Sequence, residues 1–189
     1  MNGEVTAEQA RKILDMLTDG GVMDGINTSL ALRLVPLALE LDDVELSERL
    51  LQHAKNKATD ELEKGWATFE IMKSTNSTID DFAELAVKSE TIENGTPLAA
   101  AVFHHVALLH LSLQEFQEAQ TFASRSIRLR EKIEDLSGIS YGLALLETCA
   151  KRMEDHDTAI VHGTKRIELA LSMKDEEAQI EAMADLAHS

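Results

Sequence analysis

Part of this chain returns on itself after forty residues. Phe116-Gln117-Glu118-Ala119 is echoed by His156-Asp157-Thr158-Ala159, and the same shift pairs Phe103 with Leu143, Val106 with Leu146, Ile127 with Ile167, Leu129 with Leu169 and Asp135 with Asp175. A further copy then opens, with Leu143 matched by Met183, Ala144 by Ala184 and Leu146 by Leu186, and runs for one helix. A period of this length is the mark of stacked helical hairpins, because a single hairpin cannot bury its apolar face alone and needs a neighbour on it.

Composition agrees with helices throughout. Apolar residues make up 44% and aromatics only 4%, with two prolines, so Leu, Ile, Ala and Met must supply the core. No useful length alternates apolar with polar residues, as a half-buried strand would. The formal net charge of −16 argues against nucleic acid as a partner, since phosphate recognition needs clustered cations. The acid is spread over both halves, with 9 Lys+Arg against 19 Asp+Glu in residues 1–99 and 9 against 15 beyond, which reads as a solvated acidic surface.

The single cysteine cannot form an internal disulfide. Met1-Asn2-Gly3-Glu4 lacks the features of a secretory signal, and no apolar run approaches the ~18 residues of a membrane span. The expectation is a cytoplasmic protein that engages no membrane. The triplets Asn27-Thr28-Ser29, Asn76-Ser77-Thr78 and Asn94-Gly95-Thr96 are read as turns and helix caps rather than glycan sites.

Punctuation divides the chain into about ten helices. The first is expected over 7–17, opened by a capping box of Thr6 and Gln9, and broken by Asp19-Gly20-Gly21 and the residues to Gly25. Leu30, Leu34, Leu37, Ala38 and Leu41 share one helical face, with a kink or displaced start expected at Pro36. Four hairpins follow from the pattern, at about 28–56, 58–92, 97–133 and 138–173, with an unpaired terminal helix at 175–188. Thr96-Pro97 is read as cap and first helical position of the third. One continuous array over 1–189 is expected, with its weakest stretch at about 58–95.

Phe103, Val106, Ala107 and His110, followed by Ala119 and Ser126-Ile127, resemble the tetratricopeptide repeat, in which small residues sit where antiparallel helices cross closely. The resemblance covers roughly 28–56 and 97–189. Its 40-residue step exceeds the family's usual ~34 residues and is similar to the longer-helix variant of bacterial regulators and signalling proteins. The implied fold is all-α, a right-handed α-solenoid of antiparallel helical hairpins. Glu147 and Arg166 stand where Ala107 and Ser126 supply small residues, so the fourth hairpin is expected to pack more loosely.

The resemblance also implies a concave groove lined by the first helix of each hairpin. Carried onto this chain, the contact positions are His104, Leu108, Tyr141, Thr148, Lys151 and Arg152. Cations there could pair with a carboxylate and Tyr141 could supply contact area, which fits an acidic or C-terminal peptide. A helix-end role for Lys151 and Arg152, complementing the dipole, is the plainer alternative. The stripe Arg125, Arg128 and Lys132, with Arg130 nearby, is read as a solvated or salt-bridged face, turned to the convex side or paired with Glu118 and Glu131.

No metal site is expected. His104, His105 and His110 lack an i, i+4 pair, and no cysteine or HExxH motif joins them. Cys149 lies on an apolar face beside Leu145 and Leu146 and is read as a buried structural thiol. No phosphate loop, nucleophile elbow or paired-carboxylate site is present, so neither catalysis nor a cofactor is expected.

The leading expectation is a non-catalytic module that binds a peptide or protein segment, as the regulatory or sensory part of a bacterial signalling protein. Ile180, Met183, Ala184 and Ala187 would form an unpaired apolar face, so the chain is expected either to be the N-terminal part of a longer protein or to form a homodimer through its last helix. The alternative function is a small-molecule sensor whose curvature changes on binding.

Overall fold

The computed structural model describes residues 7–18 and 21–187. Its described residues form ten α-helices and no strand: α1 (Ala7–Thr18), α2 (Thr28–Glu40), α3 (Val44–Lys57), α4 (Glu61–Lys73), α5 (Ile79–Ser89), α6 (Thr96–Ser112), α7 (Phe116–Lys132), α8 (Leu136–Arg152), α9 (His156–Met173) and α10 (Glu176–Leu186). No helix among them is long and apolar enough to cross a membrane. The expected cap at Thr6, with Asp19, Gly20 and the last residue of the terminal helix, His188, lies outside the described residues.

The chain divides into two compact units on either side of the Asn76–Ser77 bond. In the first, α2 packs on α3 and α4, and α1 on α2. Leu14, Leu17, Leu34, Leu46, Leu50 and Ala67 share one core. The connection from α1 is pinned to α3 by His53 Nε2 against Ile26 O at 2.8 Å. Asn27 caps α2 by accepting from Leu30 N–H, and the helix runs on through Pro36. The expected displacement of its start does not occur, because the cap is satisfied two turns before the proline.

The second unit holds α5 to α10, each packed against the next. The expected hairpin 58–92 is therefore divided: α4 belongs with α2 and α3, and α5 turns its Phe82 to α6, with the ring 4.7 Å from that of His105. The polar stretch 74–78 supplies no apolar side chain to bridge the two helices. Thr78 and Asp81 instead form a capping box that starts α5 afresh. At α6 the start also differs by one residue, since Thr96 is already helical and Gly95 precedes it without a side-chain cap.

One local device joins most of these helices. Asp42, Gln114, Glu134, Glu154 and Lys174 all adopt left-handed φ between 55° and 62°, as does Asn94. Four of them, from Gln114 to Lys174, fall 20 residues apart, because helices of 17 or 18 residues alternate with very short links. The residue after each closes a six-residue backbone bond to the helix just ended: Asp43 N to Ala38 O, Glu115 N to His110 O, Asp135 N to Arg130 O, Asp155 N to Ala150 O and Asp175 N to Ala170 O, all 2.9 to 3.1 Å. Four of those residues then turn the side chain forward to cap the next helix. Asp43 accepts from Leu46 N–H, Asp135 from Gly138, Asp155 from Thr158 and Asp175 from Ala178. The Thr158 bonds hold the Asp155 carboxyl below the usual carboxylate range.

The expected crossing residues Ala119 and Ala159 are fully buried, as is Ala107. Gly142 serves the same purpose between α7 and α8, where a Cβ would come within 2.5 Å of Ile127 Cγ1. Left-handed φ at a side-chain-bearing residue is disfavoured by roughly 1 kcal/mol. Glu154→Gly should accordingly raise stability by about 0.5–1 kcal/mol, and Glu154→Val should lower it. Urea unfolding followed by circular dichroism would show both.

Candidate functional site

In the second unit, α6 and α8 lie in contact and carry all six groove positions read from the sequence. Their placements differ sharply. Leu108 and Tyr141 are exposed, Tyr141 at 66% of its full surface although it is the sole tyrosine. Arg152 is exposed as well, whereas Thr148 is half-buried and donates its hydroxyl to Ala144 O at 2.9 Å. His104 is half-buried, with Nδ1 shielded and without a hydrogen-bond partner.

Two clefts border these residues. One of about 450 Å³ joins Leu111, Ser112, Gln114 and Phe116 to Thr148 and Arg152. The other, about 310 Å³, is walled by Ser137, Ser140, Tyr141 and Ala144 on α8, Arg166 and Met173 on α9, and Asp175, Glu177, Ala178 and Glu181 at the start of α10. Ala144 and Thr148 stand one helical turn apart, so the clefts lie on neighbouring stretches of α8. Arg152 makes the first cationic, and three carboxylates outnumber one guanidinium in the second.

Lys151 is engaged internally. Its Nζ lies 2.8 Å from Glu147 Oε1, an ion pair outside hydrogen-bond alignment, and donates to the Asp185 backbone carbonyl. It belongs to a buried charge cluster that the sequence reading missed. Glu147 on α8 and Arg166 on α9 are almost wholly buried and face one another, with Arg166 Nη1 donating to Glu147 Oε2 at 3.0 Å and to Asp185 Oδ2 of α10 at 2.8 Å. Glu181 adds a longer approach of 3.9 Å. The two large residues lie buried against each other at the crossing, with their opposite charges paired.

A third replacement accompanies these two. Under the 40-residue shift Ala107, Ala123 and Ser126 become Glu147, Gly163 and Arg166. A Cβ at Gly163 would meet Leu186 Cδ1 of α10 at 2.9 Å and the Glu147 carboxyl at 3.4 Å, so the missing methyl chiefly lets α10 approach α9. Opposite charges at two crossing positions of facing helices were the legible signal. In the third hairpin, Ser126 donates to Ala100 O at 2.7 Å instead.

The basic stripe of α7 also finds partners other than those expected. Arg125 pairs with Glu90 and lies over the Phe103 ring, 4.2 Å from its centroid, while Arg130 pairs with Asp135 at 2.9 Å. His110 stacks on Phe122 and holds Glu115 at 2.7 Å. Cys149 is buried, which pushes its thiol up to about 11. Among the described residues, no group of three His, Cys, Asp or Glu side chains is placed to hold a metal ion.

No protein-family model matches the chain, and no curated protein matches it.

Burial, with Arg130 and His105 nearby, lowers the His104 pKa to about 4, and burial also lowers that of His162. The unfolded chain therefore binds more protons between pH 6.5 and 4, so stability is full above 6.5 and falls with pH through that window. His104→Gln should flatten the loss of Tm between pH 7 and pH 5, measured by scanning calorimetry. At the charge cluster, Glu147→Ala alone leaves Arg166 with only the half-exposed Asp185 and the more distant Glu181, and should cost about 2–4 kcal/mol. The pair Glu147→Ala/Arg166→Ser restores the third hairpin's residues and should recover at least half of that in a double-mutant cycle.

Proposed function

We propose that α6 to α10 form a tetratricopeptide-like array of antiparallel hairpins, and that the clefts along α6 and α8 bind an extended peptide or protein segment without catalysis. Three observations support the array: the very short links, the packing of each helix on the next, and the contact of α6 with α8 across α7. The observation that carries the binding reading is the exposure of Tyr141 and Leu108 on rigid helices, each beside or near a polar cleft. In a chain with so few aromatics, an exposed Tyr offers a ligand contact area and a hydroxyl that few other surface positions supply.

The charge pattern gives the ligand a direction. A carboxylate suits Arg152 at one cleft, and a cationic side chain suits Asp175, Glu177 and Glu181 at the other, where Tyr141 lies in the same wall as a stacking face. The commitment of Lys151 to Glu147 and Asp185 removes it from the binding set. As a regulatory module, the array would hold such a segment for a signalling partner.

A second reading, a small-molecule sensor, draws on a different place. In the first unit Thr28, Ser29, Leu32 and Arg33 of α2 and Glu63, Trp66 and Glu70 of α4 enclose about 290 Å³ with mainly apolar walls. Trp66 is the sole tryptophan, so its fluorescence reports directly on that cleft.

The test is selection of a random displayed-peptide library on the wild-type chain, followed by affinities of the selected peptides for Tyr141→Ala/Arg152→Glu. The selected peptides should bind the variant roughly tenfold or more weakly. Equal affinity for the variant would overturn the groove. An empty selection together with metabolites that shift Trp66 emission would favour the sensor.

A further inference from the structure

In the first unit, α2 and α4 both pack on α3 and touch each other, and the cleft of about 290 Å³ opens between them. Trp66 of α4 lines it, with its ring resting 6.3 Å from that of Phe69, and Leu32 of α2 adds apolar surface. Ligand clefts run from roughly 300 Å³ upward, so this one fits a compound of amino-acid size.

The two walls differ in charge. Arg33 is the one basic residue of α2. It is exposed at the cleft and makes no hydrogen bond or ion pair with a described residue. Its own helix cannot neutralise it, since Ser29, Leu30, Pro36 and Leu37 stand one turn away on either side. Thr28 lines the same wall, is only 2% exposed, and has a hydroxyl bonded to no described residue. It opens α2, whose N-terminus adds partial positive charge there.

On α4, Glu63 and Glu70 stand one turn before and one turn after Trp66. Glu70 is already neutralised, because its Oε2 pairs with Lys73 Nζ at 2.7 Å. Glu63 has only neutral donors: its Oε2 accepts from the Thr59 N–H at 2.8 Å and from the Thr59 hydroxyl at 3.0 Å, and its Oε1 is unbonded. One cation and one carboxylate thus remain uncompensated on opposite walls, with apolar surface between them. A purely cationic ligand leaves Arg33 unmatched, and a purely anionic one opposes Glu63.

We propose that this cleft binds a small zwitterion with an apolar body, the chemistry of a free amino acid with a hydrophobic side chain. Its carboxylate meets Arg33 and the Thr28 hydroxyl, its ammonium meets Glu63 beside the Trp66 indole, and its side chain lies against Leu32 and Trp66. The proposal rests on the sensor reading of this cleft and names the ligand class that reading leaves open.

The experiment titrates the full chain with phenylalanine and three probes that share its phenyl body. Phenethylamine keeps the ammonium alone, 3-phenylpropionate keeps the carboxylate alone, and N-acetylphenylalaninamide is neutral, like a residue inside a peptide. Trp66 is excited at the red edge of its absorption, where none of the probes absorbs, and calorimetry measures the same affinities independently. The variants are Arg33→Gln and Glu63→Gln, with Tyr141→Ala as a control. Circular dichroism should stay unchanged, because Arg33 is exposed and unbonded and the new Gln side chain at 63 keeps a carbonyl for Thr59.

Phenylalanine should bind the wild type roughly tenfold or more tightly than each analogue. Arg33→Gln should erase its advantage over phenethylamine, and Glu63→Gln its advantage over 3-phenylpropionate, while Tyr141→Ala changes neither. Equal affinity for the neutral probe would make the cleft a seat for a peptide side chain and would overturn the proposal. So would tighter binding of a singly charged analogue, or advantages that survive both substitutions; these results leave a ligand site at Trp66 standing. Absence of phenylalanine binding by both readouts also overturns the proposal, and the sensor reading falls with it only when the wider metabolite set leaves Trp66 emission unmoved as well.

Discussion

A single aspartate, set between a left-handed residue and a new helix, carries the architecture of this chain. Its N–H closes the helix that has ended and its carboxylate opens the one that follows, so two sets of unpaired backbone groups are satisfied within very few residues. Each cap is worth about 1 kcal/mol, and the left-handed residue before it costs about the same. The link is therefore close to neutral in energy, and its effect is geometrical. It recurs at 20-residue steps between α6 and α10, where α6 and α8 meet across α7.

Glu115 shows what happens when the aspartate is replaced by a longer acid. Its carboxylate reaches back to His110 rather than forward, and α7 begins without a side-chain cap. The loss is offset by packing, since the His110 ring lies flat on Phe122, and Phe122 on Phe103, at this same corner. Local capping and tertiary stacking thus substitute for each other at successive links. The fold tolerates the exchange because helix stability in proteins comes mostly from the buried face.

Much of this was legible. The forty-residue echo and the apolar spacing point to helices in the right number, and the small residues Ala107, Ala119 and Ala159 mark the tight crossings. A finer signal was overlooked. The apolar residues Leu113, Ile133, Met153 and Met173, each followed after one residue by an acid, recur at half the step and announce the four links from α6 to α10. Periodicity could not assign the middle, because 74–78 carries only polar residues and nothing in them says which neighbour α4 and α5 will choose. At the groove, sequence position put Lys151 and Arg152 side by side, but helical geometry separates adjacent residues by about 100°. One turns to the Glu147 cluster and the other to water.

That cluster ties the groove to the end of the array. A buried ion pair adds little net stability over an apolar pair, since desolvation offsets most of the attraction. What it adds here is connection: Arg166 of α9 touches Glu147 of α8 and Asp185 of α10, and Lys151 bonds the α10 backbone. Where the third hairpin crosses through alanine and serine, the fourth reaches the last helix by directional charge. The wall of the Tyr141 cleft formed by Asp175, Glu177 and Glu181 belongs to that last helix. Its position therefore depends on bonds that need both signs of charge, and a ligand that drew Arg166 or Glu181 out of register would be felt along α10 as well as in the cleft.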